Sequence, residues 1–197
     1  MEHRLRIVKV GSKRRTEHST AAKLAETVPV SQTPSPAILR WAAHVAKGGH
    51  VLDVAAGSGR HARLFADRGH SVLAVDHEVG ALLASPDPRI TVLQADLEGA
   101  PWPLPGRTFA AVVVTNYLWR PLLATLVASV APGGVLLYET FAVGNERFGR
   151  PKNPDFLLRE GELLLAVQGV LEVLEYEHGE EGVPPMAVKQ RLCAVRR

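Results

Sequence analysis

The sequence predicts an α/β fold: a seven-stranded, mostly parallel sheet with helices on both faces and an antiparallel pair of strands at the carboxyl end. Three observations carry that expectation. Short apolar runs alternate with helix-like segments over residues 50–141, as a parallel sheet requires. A glycine-rich turn directly follows the first of these runs, within residues 51–60. The last two runs, residues 170–177 and 186–195, have no helix between them and are expected to lie antiparallel.

Taken in order, residues 1–30 form a basic arm without sustained apolar periodicity, expected to be flexible and ending at prolines. Residues 36–46 carry Ile38, Leu39, Trp41, Ala42 and Val45, a helical pattern. Residues 50–54 are the first strand and 58–68 its helix, stopped by Gly69. Residues 71–76 and 90–97 are the next strands, separated by a short helix at 79–84. Residues 99–106 make a proline-rich loop before the strand that starts at Phe109. A helix at 121–130 runs into a sharp stop at Pro132, Gly133 and Gly134, and a fifth strand follows at 135–141. The last helix covers 160–167. The domain itself is expected to span 31–197.

The turn defines a ligand site. Gly57 and Gly59 can take positive φ, and neither presents a Cβ to an approaching ligand. The N–H groups of Ser58, Gly59 and Arg60 are then expected to face the ligand at a helix start. Gly57, Gly59 and Ala62 also fit a dinucleotide fingerprint. Asp53, four residues before Gly57, argues otherwise: a carboxylate aimed at the turn repels a pyrophosphate. It suits a ligand with a sulfonium, an ammonium and a ribose, which describes S-adenosylmethionine (SAM). Asp76 ends the second strand and could accept from both ribose hydroxyls, a contact that does not separate SAM from NAD. Asp96 ends the third. Acids in these places also serve as strand-end turn formers and helix N-caps.

The segment from Asp53 to Gly59 resembles motif I of the class I SAM-dependent methyltransferases, with Ala55 where the first family glycine is common. The passage from a helix through Pro132, Gly133 and Gly134 into an apolar strand resembles the same superfamily, over residues 50–141. The resemblance implies a Rossmann-like fold. It also implies a cofactor site of Asp53, Ala55, Gly57, Ser58, Gly59, Asp76, His77, Asp96, Leu97 and Thr115. Among its members the chain is similar to the compact bacterial enzymes that include tellurite-resistance and thiol methyltransferases. The implied activity is in-line transfer of the SAM methyl, leaving S-adenosylhomocysteine. The acceptor is expected at the ends of the fourth and fifth strands. Asn116, Tyr117 and Trp119 form one wall; Phe141, Arg147 and Arg150 lie on the other. If a base is needed, Glu139 or Tyr117 supplies it.

Composition narrows the alternatives. The 197 residues are 46% hydrophobic, which suits one buried sheet, and no apolar run approaches the roughly 18 residues of a membrane span. The single cysteine, Cys193, points to a reducing compartment, so the cytoplasm is expected. No cluster of His, Cys or Asp has metal-ligand spacing. His61 and His77 are read as solvated or helix-start residues. Residues 1–28 hold seven Lys or Arg against three Glu, which leaves the remainder slightly acidic although the whole chain is +3. Such an arm can dock RNA, so an RNA or protein methyltransferase is the alternative to a small-molecule enzyme. A SAM-binding protein without transfer activity and a dehydrogenase stand behind these. The N-P-P-Y-type signature of exocyclic-amine methyltransferases is missing: Thr115, Asn116, Tyr117 and Leu118 occupy its place.

Overall fold

Val51, Leu52 and Val54, like Val112, Val113 and Val114, have no exposed surface. Strands with apolar side chains on both faces belong in the middle of a sheet covered on both sides. The computed structural model, which describes residues 7–8 and 32–197, places them there. The strands are β1 (Ile7–Val8), β2 (His50–Val54), β3 (Ser71–Asp76), β4 (Ile90–Gln94), β5 (Phe109–Thr115), β6 (Val130–Phe141), β7 (Glu172–Glu181) and β8 (Ala187–Val195). They form one sheet in the order β1-β4-β3-β2-β5-β6-β8-β7. The five strands β4, β3, β2, β5 and β6 are parallel, and β8 pairs antiparallel with both β6 and β7. The seven expected strands are therefore all present. β1 is an eighth, a two-residue antiparallel edge on β4, and it lies in the basic arm. The rest of that arm lies outside the described residues.

Among the described residues five helices cover the sheet: α1 (Pro36–Trp41), α2 (Arg60–Asp67), α3 (Gly80–Ala84), α4 (Leu123–Ala128) and α5 (Glu162–Val167). Ile38 and Trp41 of α1, Phe65 of α2 and Leu82 of α3 pack with Val51, Val113 and Leu137 on one face. Leu126 of α4 and Leu163 of α5 pack with Leu52, Val112 and Leu136 on the other. Ser35 starts α1, its hydroxyl accepting from the Ile38 amide at 3.5 Å, with Pro36 following. The expected helix at 36–46 is shorter than predicted: after Trp41 it tightens into a 3₁₀ turn over Ala42–His44.

The strand order reverses between β2 and β5. From β2 the chain builds outward through β3 and β4, and from β5 it builds the other way through β6. This switch leaves a crevice at the carboxyl ends of β2 and β5, the standard ligand position in open parallel sheets.

One boundary differs instructively. The expected stop at residues 132–134 is a bulge inside β6: Phe109 pairs with Val130, and Ala111 already pairs with Val135. The Gly133 amide donates to the Arg196 carbonyl at 2.7 Å, and the Arg196 amide returns to the Gly134 carbonyl at 2.9 Å. A Cβ on Gly134 would lie 2.8 Å from the Phe109 carbonyl oxygen and 2.9 Å from that of Ala131. Glycine is needed there because two backbones meet. Gly134→Ala should therefore lose about 1–3 kcal/mol of stability in denaturant unfolding. Gly80→Ala, at an open position in α3, should stay within about 0.5 kcal/mol of wild type. Equal midpoints for the two variants would show that the bulge can relax.

Candidate functional site

The turn that leaves β2 is built around backbone conformations that side chains resist. Ala55, Gly57 and Gly59 have φ of 52°, 56° and 80°. Ala55 thus holds a left-handed conformation that glycine would hold without strain. A Cβ on Gly59 would collide with Leu82 Cδ2 of α3, and the φ of 80° is itself strained for any other residue. A Cβ on Gly57 would meet nothing within 4 Å. Gly57 is exposed, and a methyl there would project into open space above the turn. The Gly59 amide, expected to face a ligand, is instead used within the turn, donating to the Ala56 carbonyl at 2.8 Å.

Asp76 anchors this turn from β3. Its Oδ2 accepts from the Gly57 amide at 2.7 Å, and its Oδ1 accepts from the Glu78 amide at 2.8 Å. Asp96 lies in the loop beyond β4, which ends at Gln94, two residues short of the predicted acid. Its Oδ1 accepts from the Glu98 and Gly99 amides, each at 2.9 Å, and these bonds hold its carboxyl below the usual range. Asp76, His77, Ala95, Asp96, Leu97, Glu98, Ala55 and Tyr117 together line a cavity of about 380 Å³. Six of the ten predicted cofactor residues, Ala55, Gly57, Asp76, His77, Asp96 and Leu97, thus surround or border one space. His77 is exposed, as expected.

Asp53 lies behind the turn, 1% exposed, and neither carboxylate oxygen has a hydrogen-bond partner among the described residues. Burial pushes its carboxyl up to about 7, against smaller opposing effects of the nearby Ala62 amide and the Arg60 charge. The hydroxyl of buried Ser58 is likewise unpartnered. Two orphaned polar groups beside a bare glycine are the mark of a site that a polar ligand completes.

Thr115 and Glu139 are register partners on β5 and β6. Glu139 is 2% exposed and fully engaged. Its Oε1 accepts from Lys189 Nζ at 2.9 Å; its Oε2 accepts from the Ser35 hydroxyl at 2.6 Å and Arg191 Nε at 2.9 Å. Burial raises its carboxyl, but Lys189, Ser35 and Arg191 together bring it down to about 2. The expectation that Glu139 could be a general base is therefore corrected: a carboxylate held by two cations and a hydroxyl has little basicity. Tyr117 is corrected in the same sense. Burial pushes its phenol up, so the group is a neutral donor, and its buried hydroxyl has no partner. Its carbonyl is fixed by the Tyr138 hydroxyl at 2.9 Å. Tyr117 also lines the cavity shared with Asp76 and Asp96, on the cofactor side of the expected acceptor wall.

The rest of the predicted acceptor wall divides. Asn116 is exposed, with φ of 53°, its amide donating to the Glu139 carbonyl at 2.8 Å. Trp119 and Phe141 are half-buried, with Lys189 Nζ 5.2 Å above the Phe141 ring. Arg147 turns to the β7 hairpin, donating to Glu180 at 3.0 Å and to the Gly144 carbonyl at 3.0 Å, while Arg150 is exposed. The loop carrying them is held by Asn145, 1% exposed, which donates to the Pro151 carbonyl at 3.2 Å and accepts from the Val188 amide at 3.2 Å.

His61, expected to be solvated or a helix-start residue, is the second residue of α2 and is buried, 2% exposed. The missed signal was periodic: His61 lies four residues before Phe65, on the buried face of α2. Ser35, Lys189 and Arg191 gave no sequence signal, because their roles arise only when α1 and β8 converge on β6. Among the described residues no group of His, Cys, Asp or Glu could hold a metal, and no helix is long and apolar enough to cross a membrane.

Residues 51–134 match the family model described as a methyltransferase domain. No match was found among curated proteins. Solved structures with similar folds include TehB from Haemophilus influenzae, at 19% identity and a TM-score of 0.63; the alignment covers 81% of this chain and 61% of that one. An S-adenosylmethionine dependent methyltransferase from Mesorhizobium loti has 19% identity and a TM-score of 0.61, over 80% and 96% of the two chains. The 1,6-didemethyltoxoflavin-N1-methyltransferase of Burkholderia thailandensis, solved with its substrate and S-adenosylhomocysteine, has 17% identity and a TM-score of 0.57, over 82% and 76%. This chain thus spans about three fifths of the TehB structure's length.

The Asp53 carboxyl has a testable stability signature. Its folded value lies above its unfolded value, so the folded state binds the extra proton between them. Stability from this group is full below about 3.8 and is lost as pH rises through about 7. Asp53→Asn should therefore unfold at higher denaturant than wild type at pH 8, by on the order of 2 kcal/mol. The gap should close by about pH 4 in the same titration. A gap that does not change with pH would mean that the carboxyl finds a partner.

Proposed function

We propose that this chain, whose residues 51–134 match a methyltransferase-domain model, is a class I SAM-dependent methyltransferase that transfers the SAM methyl group to a small-molecule acceptor bound at the carboxyl ends of β5 and β6. The observation that carries the cofactor reading is the unpartnered carboxylate of Asp53 behind the bare backbone of Gly57. That arrangement repels a pyrophosphate and attracts the ammonium of an amino acid. Asp76 and Asp96 each keep acceptor capacity beyond the backbone amides they hold, toward ribose hydroxyls and an adenine amino group. SAM supplies, when bound, a methyl on a sulfonium that is already a good leaving group.

The chain's own residues then bind, orient and exclude water. Lacking a free base in Glu139 or Tyr117, the site suits an acceptor that is nucleophilic without deprotonation, such as an amine or a thiolate. Rate enhancement comes from alignment and desolvation. Asn116, Trp119 and Phe141 are the acceptor contacts of this reading, with Arg150 at the rim. Arg147, held by Glu180, is secondary. The small-acceptor reading is supported by the likeness of the fold to the 1,6-didemethyltoxoflavin-N1-methyltransferase, solved with its small-molecule substrate. Isotope-labelled SAM offered to cell extract separates the alternatives: label in small molecules supports the reading, whereas label in RNA or protein would transfer it to the basic arm. SAM binding without any transfer would mark a binding protein. The cytoplasm is the proposed compartment, given the lone buried thiol of Cys193.

Two substitutions test the cofactor site by calorimetry. Gly57→Ala should cost only about 1–2 kcal/mol of folding stability, from its positive φ, yet weaken SAM more than tenfold, because the methyl fills the space the ligand uses. Asp76→Ala should weaken SAM at least about tenfold, each charge-assisted hydrogen bond contributing roughly 1.5–3 kcal/mol. Full SAM affinity in both folded variants, or tight NAD binding in the wild type, would overturn the cofactor reading.

A further inference from the structure

A row of buried polar side chains crosses the α2 face of the sheet at the carboxyl ends of its strands. Asp53 on β2 pairs in register with Val113 on β5, so Thr115, two residues on, shares its face. Thr115 pairs with Glu139, and Glu139 with Arg191. His61 of α2 sits over this row. Its Nε2 accepts from the Ser35 amide at 3.1 Å, and its Nδ1 lies 3.1 Å from Thr115 Oγ1.

These contacts fix the tautomer. A backbone amide can only donate, so Nε2 carries no proton, and the proton of the neutral ring is on Nδ1. Nδ1–H then donates to Thr115 Oγ1. Burial, with the Arg60 charge, lowers the His61 pKa to about 4, so the ring stays neutral at ordinary pH. The Thr115 hydroxyl is thereby used as an acceptor by the protein, and its own proton has no protein acceptor among the described hydrogen bonds.

We propose that His61 is a positioning residue that presents the Thr115 hydroxyl as a hydrogen-bond donor to the α-carboxylate of the cofactor's amino-acid end, opposite Asp53, which takes its ammonium. The inference rests on the SAM reading of the site. Local charge agrees with it. Lys189 and Arg191 are shared between Glu139 and Glu181, whereas Arg60, which also acts on His61, is in no ion pair among the described residues. The Thr115 end of the row therefore favours an anion, and the Asp53 end, where the carboxylate has no partner, favours a cation. The two ends differ in sign as the two ends of an amino-acid zwitterion do. The row also offers one hydroxyl donor and one carboxylate acceptor, the pair such a zwitterion requires.

The test compares two ligands by calorimetry: S-adenosylhomocysteine, and 5′-methylthioadenosine, which keeps the adenosine and thioether but lacks the amino acid. Thr115→Val should weaken S-adenosylhomocysteine at least fivefold and leave 5′-methylthioadenosine within twofold of wild type; Thr115→Ser should recover most of the loss. His61→Leu should reproduce the selective loss, and adding it to Thr115→Val should cause little more, because the two act through one hydroxyl. His61→Asn, whose amide nitrogen can stand in for Nδ1, should fall between and covers the case in which the leucine variant does not fold. Thr115→Val binding both ligands as wild type does, or losing both by the same factor, would overturn the proposal, as would full additivity of the two substitutions. Wild-type protein that bound neither ligand would overturn the SAM reading itself, an outcome distinct from a loss of selectivity.

Discussion

A carboxylate buried without a hydrogen-bond partner at the end of β2 is the constraint around which this molecule is arranged. Desolvating such a group is costly, and a fold keeps it only where the surroundings are too rigid to reach it or where a ligand completes it. Here the rigidity has a clear source. β2 lies between β3 and β5, the in-register partners of Asp53 are the apolar Ala74 and Val113, and α2 closes over the face that Asp53 occupies. Two amides of the neighbouring turn are committed elsewhere, Gly59 to Ala56 and Gly57 to Asp76. Asp53 therefore remains available to a cation from outside.

The second acid of the same row meets the opposite fate. Glu139 lies two strands away on the same face and carries the same charge. It is surrounded by Lys189, Arg191 and Ser35, and its carboxyl falls to about 2 where that of Asp53 rises to about 7. The difference lies in the antiparallel β8, which brings two cations alongside β6 and cannot reach β2. One sheet thus converts two buried acids into a fixed structural anion and an unpaired one. Serving as the anchor for Ser35, Glu139 also ties the start of α1 to the sheet beside His61.

The site is divided by the same geometry. Asp76 at the end of β3 and Asp96 just beyond β4 border the cavity, which Tyr117, following β5, also lines. The exposed Asn116 and the half-buried Trp119 and Phe141 lie toward β6. Arg120 stiffens this second region: its guanidinium holds Glu162 at 2.6 Å and the carbonyls of Asp155 at 2.7 Å and Leu157 at 2.8 Å. The loop after β6 is consequently a fixed wall joined to α5.

Local pattern alone determined the strands, their alternation with helices, the antiparallel ending and the two-glycine turn, because continuous apolar runs and glycine conformations are properties of short segments. It also placed Asp53 and Asp76 near strand ends, and Asp96 two residues beyond one. Their gathering around one turn followed from the parallel order, which aligns all carboxyl ends on one edge. Tertiary structure alone decided the charge states and the hydrogen-bond roles. Glu139 reads in the sequence as an acid beside an acceptor site, yet Lys189 and Arg191, fifty residues on, neutralise it. His61 reads as a polar residue at a helix start, yet Ser35 and Thr115, from α1 and β5, fix which of its nitrogens carries the proton. A carboxylate or an imidazole takes its chemistry from the donors and charges within a few ångströms, and those come from strands and helices that only the completed sheet brings together.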